Sequence, residues 1–367
     1  MGLGSARDGL APRPPMGWNS WNRFGADIDE RLIRETAETM VATGMRDAGY
    51  RYVVIDDAWQ APARDANGEL VPDPVRFPSG MRALADHVHG QGLRFGLYTD
   101  AGTRTCQGRP GSLGDEIRDA RRFAEWGVDY VKVDWCHTEG LSAPPTYEKW
   151  CLAFQRADRP MVLSICEWGR SRPWEWAREV GHLWRTTGDI QDRWSSVLGI
   201  LDRQVDLHRY AGPDGWNDPD MLEVGNGGMT EAEYRSHFSL WAMLAAPLMA
   251  GNDVRRMSDA TRAILMAPEV IAIDQDPSGR QGRRISRDEG GEVWARELDD
   301  ADARAVLLFA RGDGPARLGV SWSELGWPAG ARVAVRDVWR RQDLGAFVAG
   351  FETTVAPHAV AFLRVVR

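Results

Sequence analysis

The chain has 367 residues, 43% of them hydrophobic and 27% charged, which is typical of a globular protein. Its net charge of −8 argues against nucleic acid as a partner, because surfaces that bind nucleic acid concentrate positive charge. No apolar run approaches the ~18 residues of a membrane-spanning helix, so we expect no membrane insertion. Residues 1–15 lack the hydrophobic segment of a signal peptide, which predicts a cytoplasmic protein, or a secreted one if a signal peptide has been removed.

The cysteine and tryptophan contents narrow the kind of site further. Four cysteines are too few for a disulfide-based scaffold, and their spacing matches no zinc motif, so we expect neither a metal nor another cofactor. The 17 tryptophans are unusually many. Tryptophan is most often a core residue, but the apolar faces of sugars stack on indole rings. The excess therefore favours a carbohydrate site.

Short apolar segments alternate with amphipathic stretches down to about residue 275. The predicted strands end at Trp21, Asp57, Asp100, Trp135, Trp168, Asp189, Met221 and Asp253. Predicted helices occupy 31–48, 80–91, 113–126, 146–157, 173–179, 194–208, 231–245 and 259–266, of which 173–179 has the weakest pattern. This alternation predicts a closed (β/α)8 barrel. An open doubly wound sheet is the alternative, but no GxGxxG turn follows the first predicted strand.

The pattern changes after residue 280. Segments 293–300, 304–311, 317–325, 332–339 and 358–366 alternate apolar and polar residues with a period of two, and Gly, Pro and Asp turns separate them. We therefore predict a barrel domain over residues 1–280 and a C-terminal antiparallel β-sandwich over residues 281–367. No linker-like run precedes the second domain, so it should pack firmly against the barrel.

The segment YVKVDWC (130–136) predicts a buried strand with chemistry on one face. Side chains alternate along a strand, so Lys132 and Asp134 point to the same side. A neighbouring ammonium group lowers the pKa of a carboxyl group and keeps it ionised, which suits a nucleophile. A structural Lys–Asp pair on an exposed edge explains these seven residues equally well when they are considered alone.

The ends of barrel strands meet at one face, where enzymes of this architecture place their active sites. This arrangement would bring together Trp21, Asp56, Asp57, Tyr98, Lys132, Asp134, Cys166, Glu167, Trp168, Arg185, Asp189 and Asp220. Lysine and arginine among the carboxylates would repel a divalent metal ion, and no histidine lies at a strand end. Sugar chemistry fits better, because cleavage of a glycoside needs two carboxyl groups.

Several long segments carry a family resemblance. They are MGWNSW (16–21), VIDDAW (54–59), RFPSGMRALADHVHGQGLRFGLYTDAG (76–102), VKVDWC (131–136), CEWG (166–169), WRTTGDI (184–190), AGPDGWNDPDML (211–222) and VIAIDQDPSGRQG (270–282). Together they resemble glycoside hydrolase family 27, the α-galactosidases, in the same order along the chain. The resemblance implies a retaining exo-glycosidase that releases terminal α-linked D-galactose, with a small carbohydrate as its partner. It says nothing about the oligomeric state.

The resemblance also implies roles for individual residues. Asp134 corresponds to the nucleophile and Asp189 to the general acid/base, whose pKa should rise once a sugar and a charged Asp134 lie nearby. A disulfide between Cys106 and Cys136 beside the site is implied as well, although a reducing cytoplasm would disfavour it. The residues implied to bind galactose are Trp21, Asp56, Asp57, Tyr98, Lys132, Trp168, Arg185 and Asp220, and Cys166 is predicted to bind the substrate with them.

Structural roles compete with some of these assignments. Asp189 suits a helix N-cap, and the adjacent pair Asp56 and Asp57 suits an Asx turn. Within the family, α-N-acetylgalactosaminidase and β-L-arabinopyranosidase are the alternative activities. The bulky Trp168 argues against the first and an unaltered Asp57 against the second. A non-catalytic carbohydrate-binding protein is the alternative from another class, and the presence of both Asp134 and Asp189 argues against it.

Overall fold

The structure, a computed structural model, describes residues 9–367. Residues 1–8, on which the expected absence of a signal peptide partly depends, lie outside the described residues.

Parallel strands run through the first part of the chain. They are β1 (Met16–Asn19), β2 (Tyr52–Ile55), β3 (Arg94–Asp100), β4 (Tyr130–Asp134), β5 (Val162–Cys166), β6 (Leu183–Arg185), β7 (Trp216–Asp218) and β8 (Leu248–Ala250).

These strands form the predicted barrel. They pair in the order β7-β6-β5-β4-β3-β2-β1-β8, with each neighbouring pair parallel. A parallel bridge between Leu222, which follows β7, and Ala250 of β8 links the two ends of the sheet. Within the described residues, β7 and β8 are therefore joined only through this bridge, whereas the other neighbouring strands pair directly. The eight parallel strands nevertheless confirm the predicted architecture.

Helices connect the strands. They are α1 (Trp21–Phe24), α2 (Glu30–Ala42), α3 (Gly80–Gly90), α4 (Glu116–Trp126), α5 (Ala143–Gln155), α6 (Trp194–Gln204), α7 (Glu231–Met243), α8 (Asp259–Leu265) and α9 (Pro268–Asp274). The side chain of Asp29 accepts a hydrogen bond from the Leu32 N–H and so caps α2, and Thr230 with Glu233 forms a capping box at α7. The predicted extension of α2 to residue 48 is wrong, because Gly44 adopts a left-handed conformation with φ 82°.

Two further helix predictions need correction. The stretch 173–179 forms short 3₁₀ turns, Pro173–Glu175 and Ala177–Glu179, in place of the predicted helix. The sequence reading missed α1 and α9, which have four and seven residues. Helices this short give too few turns for an amphipathic repeat to be recognised.

Alternation along β4 separates the core from the site. Val131 and Val133 pack into the large core that includes the helices, whereas Tyr130 points the other way, into the barrel. Lys132 and Asp134 have the parity of Tyr130 and continue that inward row towards the carboxyl end of the strand. The apolar filling of the interior consists of Tyr52, Val54, Tyr130, Val162, Leu183, Trp216 and Met249 with their neighbours. One end of the barrel is therefore packed solid and the other carries charged groups.

The C-terminal part is antiparallel. It comprises β9 (Arg283–Arg287), β10 (Glu292–Glu297), β11 (Ala303–Phe309), β12 (Ala316–Ser321), β13 (Arg332–Asp337), β14 (Gln342–Val348), β15 (Gly350–Val355) and β16 (Val360–Val366). One sheet has the order β14-β13-β16-β11-β10-β9, and β12 pairs with β15 in a second sheet. Apolar side chains of both sheets, such as Leu308 and Val320, share one core, which confirms the predicted sandwich. The domain boundary at residues 280/281 stays a prediction.

Three strands of this domain were not predicted: β9, β14 and β15. The first two form the edges of the large sheet, and most of their side chains are at least partly exposed. Edge strands exposed on both faces lose the apolar–polar alternation on which the prediction depends. The predicted strand 317–325 is shorter than expected, because Trp322–Leu325 turns into a 3₁₀ helix after β12.

The two domains are firmly joined. Most of α7 is buried, and the helix packs against β10, β11 and β16 of the large sheet. The indole N–H of Trp339 donates to the hydroxyl of Ser239 at 2.9 Å, and Arg311 pairs with Asp202 of α6 at 2.6 Å. Among residues 9–367, none of the helices has both the length and the apolarity to cross a bilayer.

Arg296 offers a test of the domain junction. Its buried guanidinium donates to the Ala242 carbonyl at 2.8 Å and to the Asp274 carbonyl at 3.2 Å. Arg296→Ala would leave both carbonyls without these bonds, so we expect a loss of about 2–4 kcal/mol in the free energy of unfolding. Urea unfolding measures it, with Arg283→Ala, an exposed arginine of β9, as the matched control expected to change by less than about 0.5 kcal/mol. Equal losses in the two variants would contradict a structural role for the Arg296 contacts.

Candidate active site

A cavity of about 640 Å³ opens at the charged end of the barrel. The sequence-predicted side chains that line it are Trp21, Asp56, Asp57, Tyr98, Cys106, Lys132, Asp134, Trp168, Arg185, Asp189 and Asp220. The predicted convergence of strand-end residues at one face therefore holds for these positions. Most of them stand just beyond the last residue of a strand, because every strand except β3 ends one to four residues earlier than predicted.

The end of β2 provides two adjacent carboxylates. Asp56 accepts hydrogen bonds from the Asn19 amide at 2.7 Å and from the Lys132 ammonium at 2.9 Å. Asp57 accepts the backbone N–H of Gln107 at 2.9 Å, and burial raises the pKa of this carboxyl to about 6. Both groups are almost fully buried yet line the cavity. They can offer acceptor oxygens to hydroxyl groups of a ligand.

Asp134 at the end of β4 is held by two hydrogen bonds. Its Oδ1 accepts the Trp135 N–H and its Oδ2 accepts the Tyr98 hydroxyl, both at 2.9 Å. Burial raises the pKa of Asp134 above the usual value for aspartate, although the Lys132 charge acts in the opposite direction. Lys132 therefore acts on the pKa of Asp134 in the expected direction, but burial outweighs its effect. The direct ion-pair partner of Lys132 is Asp56, at 2.9 Å.

Arg185 organises the opposite side of the cavity. Its Nη2 lies 3.0 Å from Asp189 Oδ1 and 2.9 Å from Asp220 Oδ2. The side chain of Asp189 is 66% exposed, and the charges of Arg185 and Lys132 outweigh its partial burial and lower its pKa. The pKa of Asp134 is thus raised where a lowered value was expected, whereas the rise expected for Asp189 depends on a bound sugar and stays a prediction.

The predicted disulfide is present between Cys106 and Cys136, whose Cα atoms are 5.2 Å apart. Its Cys106 sulfur lies 3.5 Å from Asp134 Oδ2. The two segments approach closely because Gly102 has no side chain, and a β-carbon there would collide with the Cys136 carbonyl. Asp100 completes a group of three side chains close enough to hold a metal ion, but joined sulfurs are not thiolate ligands.

Some predicted residues do not reach the cavity. Cys166 is buried behind it, where its sulfur lies 3.6 Å from the Arg185 guanidinium, so the assignment of Cys166 to ligand binding is not supported. Glu167, which was expected to join the other strand-end residues, does not line the cavity, and its carboxylate accepts the Ser171 N–H at 2.7 Å. Eleven of the 17 tryptophans are core residues, so the tryptophan content was a poor indicator of the site.

The cavity also contains residues that the sequence reading missed. Glu223 accepts hydrogen bonds from the side-chain amides of Asn22 and Asn226, and burial raises its pKa to about 7. Glu223 lies five residues after the end of β7. A prediction that considers only residues at the ends of strands therefore misses it. The other unpredicted lining residues are Asn22, Arg23, Phe24, Gly25, Ile190, Gln191, Asp192, Met221 and Asn226.

Known protein families match both domains. The family model described as Alpha galactosidase A matches residues 13–276, and that of the Alpha galactosidase C-terminal beta sandwich domain matches residues 288–365. An α-galactosidase of Cyamopsis tetragonoloba is 48% identical over 96% of this chain and 86% of its own length. Alpha-galactosidase A of Cellvibrio japonicus is 51% identical over 86% of this chain and 80% of its own length.

Solved structures agree with these matches. α-Galactosidase I of Mortierella vinacea superposes with a TM-score of 0.95 at 37% identity, covering 98% of both chains. The Saccharomyces cerevisiae α-galactosidase with raffinose gives a TM-score of 0.94 at 29% identity, covering 98% of this chain and 99% of that one.

Relatives with other activities also match. An α-N-acetylgalactosaminidase of Gallus gallus is 42% identical over 94% of this chain and 90% of its own length. A β-L-arabinopyranosidase variant of Geobacillus stearothermophilus, in complex with arabinose, has a TM-score of 0.89 at 25% identity and covers 98% of both chains.

The disulfide predicts a specific pattern of thiol reactivity. Cys151 is half-buried and Cys166 is buried, so a thiol reagent should modify about one cysteine in the native protein and two in denaturant. All four should react in denaturant once a reductant is added. In denaturant, the Cys106→Ser/Cys136→Ser double variant should still show two reactive thiols, those of Cys151 and Cys166. Four reactive thiols in the unreduced, denatured wild type would disprove the disulfide.

Proposed function

Because this chain belongs to the Alpha galactosidase A family, we propose that it hydrolyses terminal α-linked D-galactose from galactosides with retention of configuration. The observation that carries this proposal is the meeting of Asp134 and Asp189 in one cavity with Asp56, Asp57 and Lys132. Two carboxyl groups supply the chemistry of glycoside cleavage, and the others supply hydrogen-bonding partners for a sugar.

In this proposal Asp134 is the nucleophile. The Tyr98 hydroxyl and the Trp135 N–H fix the orientation of its carboxylate. Asp134 attacks the anomeric carbon and forms an ester with the sugar, while the bond to the leaving oxygen breaks. Burial raises the pKa of Asp134, so the ionised, reactive form is lost as the pH falls through that raised value. Lys132 opposes the rise and extends the active range towards acid.

Asp189 acts as the acid and then as the base. It gives its proton to the leaving oxygen, and the resulting carboxylate removes a proton from the water that attacks the anomeric carbon and breaks the ester. In the free protein Arg185 keeps the pKa of Asp189 low, so Asp189 must gain its proton when substrate arrives. Its side chain is 66% exposed, and a bound sugar would remove much of that solvent, which raises the pKa of a carboxyl.

Recognition of galactose is assigned to the polar wall of the cavity. Asp56 and Asp57 offer carboxylate oxygens to the sugar hydroxyls, and Trp21 and Trp168 offer aromatic surface. The Arg170 guanidinium lies 4.4 Å from the centre of the Trp168 ring. A bulky indole backed by a cation leaves little room for an N-acetyl group, which favours galactose over N-acetylgalactosamine.

A small carbohydrate is the only partner that we propose. The cytoplasmic location expected from the sequence stays a prediction. The Cys106–Cys136 disulfide favours an oxidising compartment, since disulfides are rare in the reducing cytoplasm.

A panel of p-nitrophenyl glycosides tests the proposed activity. We expect turnover of the α-galactoside with kcat/KM at least about tenfold above that of the α-N-acetylgalactosaminide and the β-L-arabinopyranoside, because each misplaced polar contact costs about 1–3 kcal/mol. Proton NMR should detect α-galactose as the first product. A β-anomer formed first would contradict retention, and no turnover of any sugar would favour the non-catalytic alternative.

Variants of the two carboxylates separate their roles. Asp134→Ala should lose at least about 10³-fold in kcat, because no ester can form, and added azide should yield β-galactosyl azide. Asp189→Ala should lose far more activity on an alkyl or sugar leaving group than on p-nitrophenol, which departs without a proton, and azide should yield the α-azide. Asp192→Asn, a cavity carboxylate without an assigned role, is the control. The opposite pair of azide products would reverse the assignments of Asp134 and Asp189.

A further inference from the structure

Asp100 is a buried carboxyl group next to the proposed nucleophile. It ends β3 and is the register partner of Asp134 on β4. The side chain is fully buried and does not line the cavity. Its Oδ1 accepts the Gly102 N–H at 2.7 Å, and its Oδ2 accepts the Cys136 N–H at 2.9 Å. The carboxyl group thus ties together the segments after β3 and β4.

The hydroxyl of Tyr98 lies between the two carboxyl groups. It is 2.9 Å from Asp134 Oδ2 and 3.4 Å from Asp100 Oδ2. The Cys106 sulfur also lies between them, 3.5 Å from Asp134 Oδ2 and 4.0 Å from Asp100 Oδ2. Asp100 therefore reaches the nucleophile through Tyr98 without being in contact with substrate.

The surroundings of Asp100 favour its neutral form. Burial and then the charge of Asp134 raise the pKa of Asp100 to about 8, with Asp57 adding to the effect. The other titratable groups that face this cluster are Asp56 from the end of β2, Lys132 from β4, Cys166 from the end of β5 and Tyr147 from α5. Lys132 lies 5.3 Å from the centre of the Tyr98 ring but forms its ion pair with Asp56. At neutral pH, Asp100 therefore carries a proton beside Asp134.

We propose that Asp100 is a positioning residue that acts on the nucleophile through Tyr98. The neutral Asp100 carboxyl donates its proton to the Tyr98 oxygen, and Tyr98 donates to Asp134 Oδ2. This chain of hydrogen bonds holds the attacking oxygen in one orientation. When Asp100 ionises it becomes an acceptor, competes with Asp134 for the Tyr98 hydroxyl and releases the nucleophile.

This inference rests on the proposed function, and its test must exclude titration of Asp189. The Asp189→Ala background removes that group, and a dinitrophenyl α-galactoside needs no acid to leave. In this background we expect kcat/KM to fall as the pH rises through about 8, the pKa of Asp100. Asp100→Asn cannot ionise, so the fall should disappear. At about pH 6, kcat/KM should drop about tenfold, because an amide donates a weaker hydrogen bond to the Tyr98 oxygen than a neutral carboxyl group does.

Tyr98→Phe provides a second variant should Asp100→Asn fail to fold. It too should abolish the fall near pH 8, since the connection to the nucleophile is gone. Combining the two substitutions should cost little more than Tyr98→Phe alone. Thr99→Val is the matched control, since Thr99 is a buried neighbour on β3 that bonds Ser112 at 2.6 Å. Its stability should decrease while its pH profile stays unchanged.

The outcomes are distinct. An unchanged fall near pH 8 in Asp100→Asn, or losses that multiply in the double variant, would overturn the proposal. Absence of turnover in the wild type would instead overturn the proposed function. Ultraviolet difference spectra between about pH 6 and pH 9 then decide about Asp100. They should show a tyrosine signal in the wild type that is missing in both Asp100→Asn and Tyr98→Phe, and its persistence in either variant would refute the connection.

Discussion

The site is governed by an imbalance of buried charge. Two cations, Lys132 and Arg185, are tied to Asp56 and to the pair Asp189 and Asp220. Further carboxyl groups in and behind the cavity accept N–H bonds in place of such ion pairs, and burial raises their pKa values, as at Asp57, Asp100 and Glu223. Burying an isolated charge costs free energy. A buried carboxyl group without a cation as partner therefore takes up a proton more readily, which is why its pKa is raised. Excess negative potential remains, and it would stabilise the positive charge that develops on a sugar ring during cleavage.

The barrel keeps these charges in place. Aromatic and aliphatic side chains fill its interior, so the charged rows of β2 and β4 rest on an incompressible layer. The register of β3 against β4 sets Asp100 opposite Asp134, and the disulfide with Gly102 joins the segments that follow these strands. These contacts fix the positions of Asp100 and Asp134 relative to each other. The exposed Asp189 is the group whose surroundings a substrate would change most.

The parts of this arrangement that could be predicted share a simple origin. Strict alternation in β4 placed Lys132 and Asp134 on one face, and the order of strands and helices gave the barrel. The effects of neighbouring charges on the pKa values of the carboxyl groups were harder to predict from the sequence. Whether Lys132 serves Asp134 or Asp56 depends on three-dimensional distances, and the influence of Arg185 on Asp189 arises because the chain turns back after β6. Asp100 ends a predicted strand and Asp134 lies one residue before the end of the next, yet only the contacts of Asp100 reveal a function for it. The Cys166 side chain points to the same side of its strand as the site residues do, but the Arg185 guanidinium covers it.

The C-terminal sheet has an order with consequences during synthesis. Strand β16 lies between β13 and β11, so it joins a β9–β11 unit to the β13–β14 hairpin, although it follows all of them in the chain. On the ribosome, those two units must wait unconnected until β16 emerges. During that interval the part of α7 that packs against β16 stays uncovered. Premature termination before residue 360 would therefore leave a finished barrel with an exposed apolar side, a species that chaperones and proteases recognise.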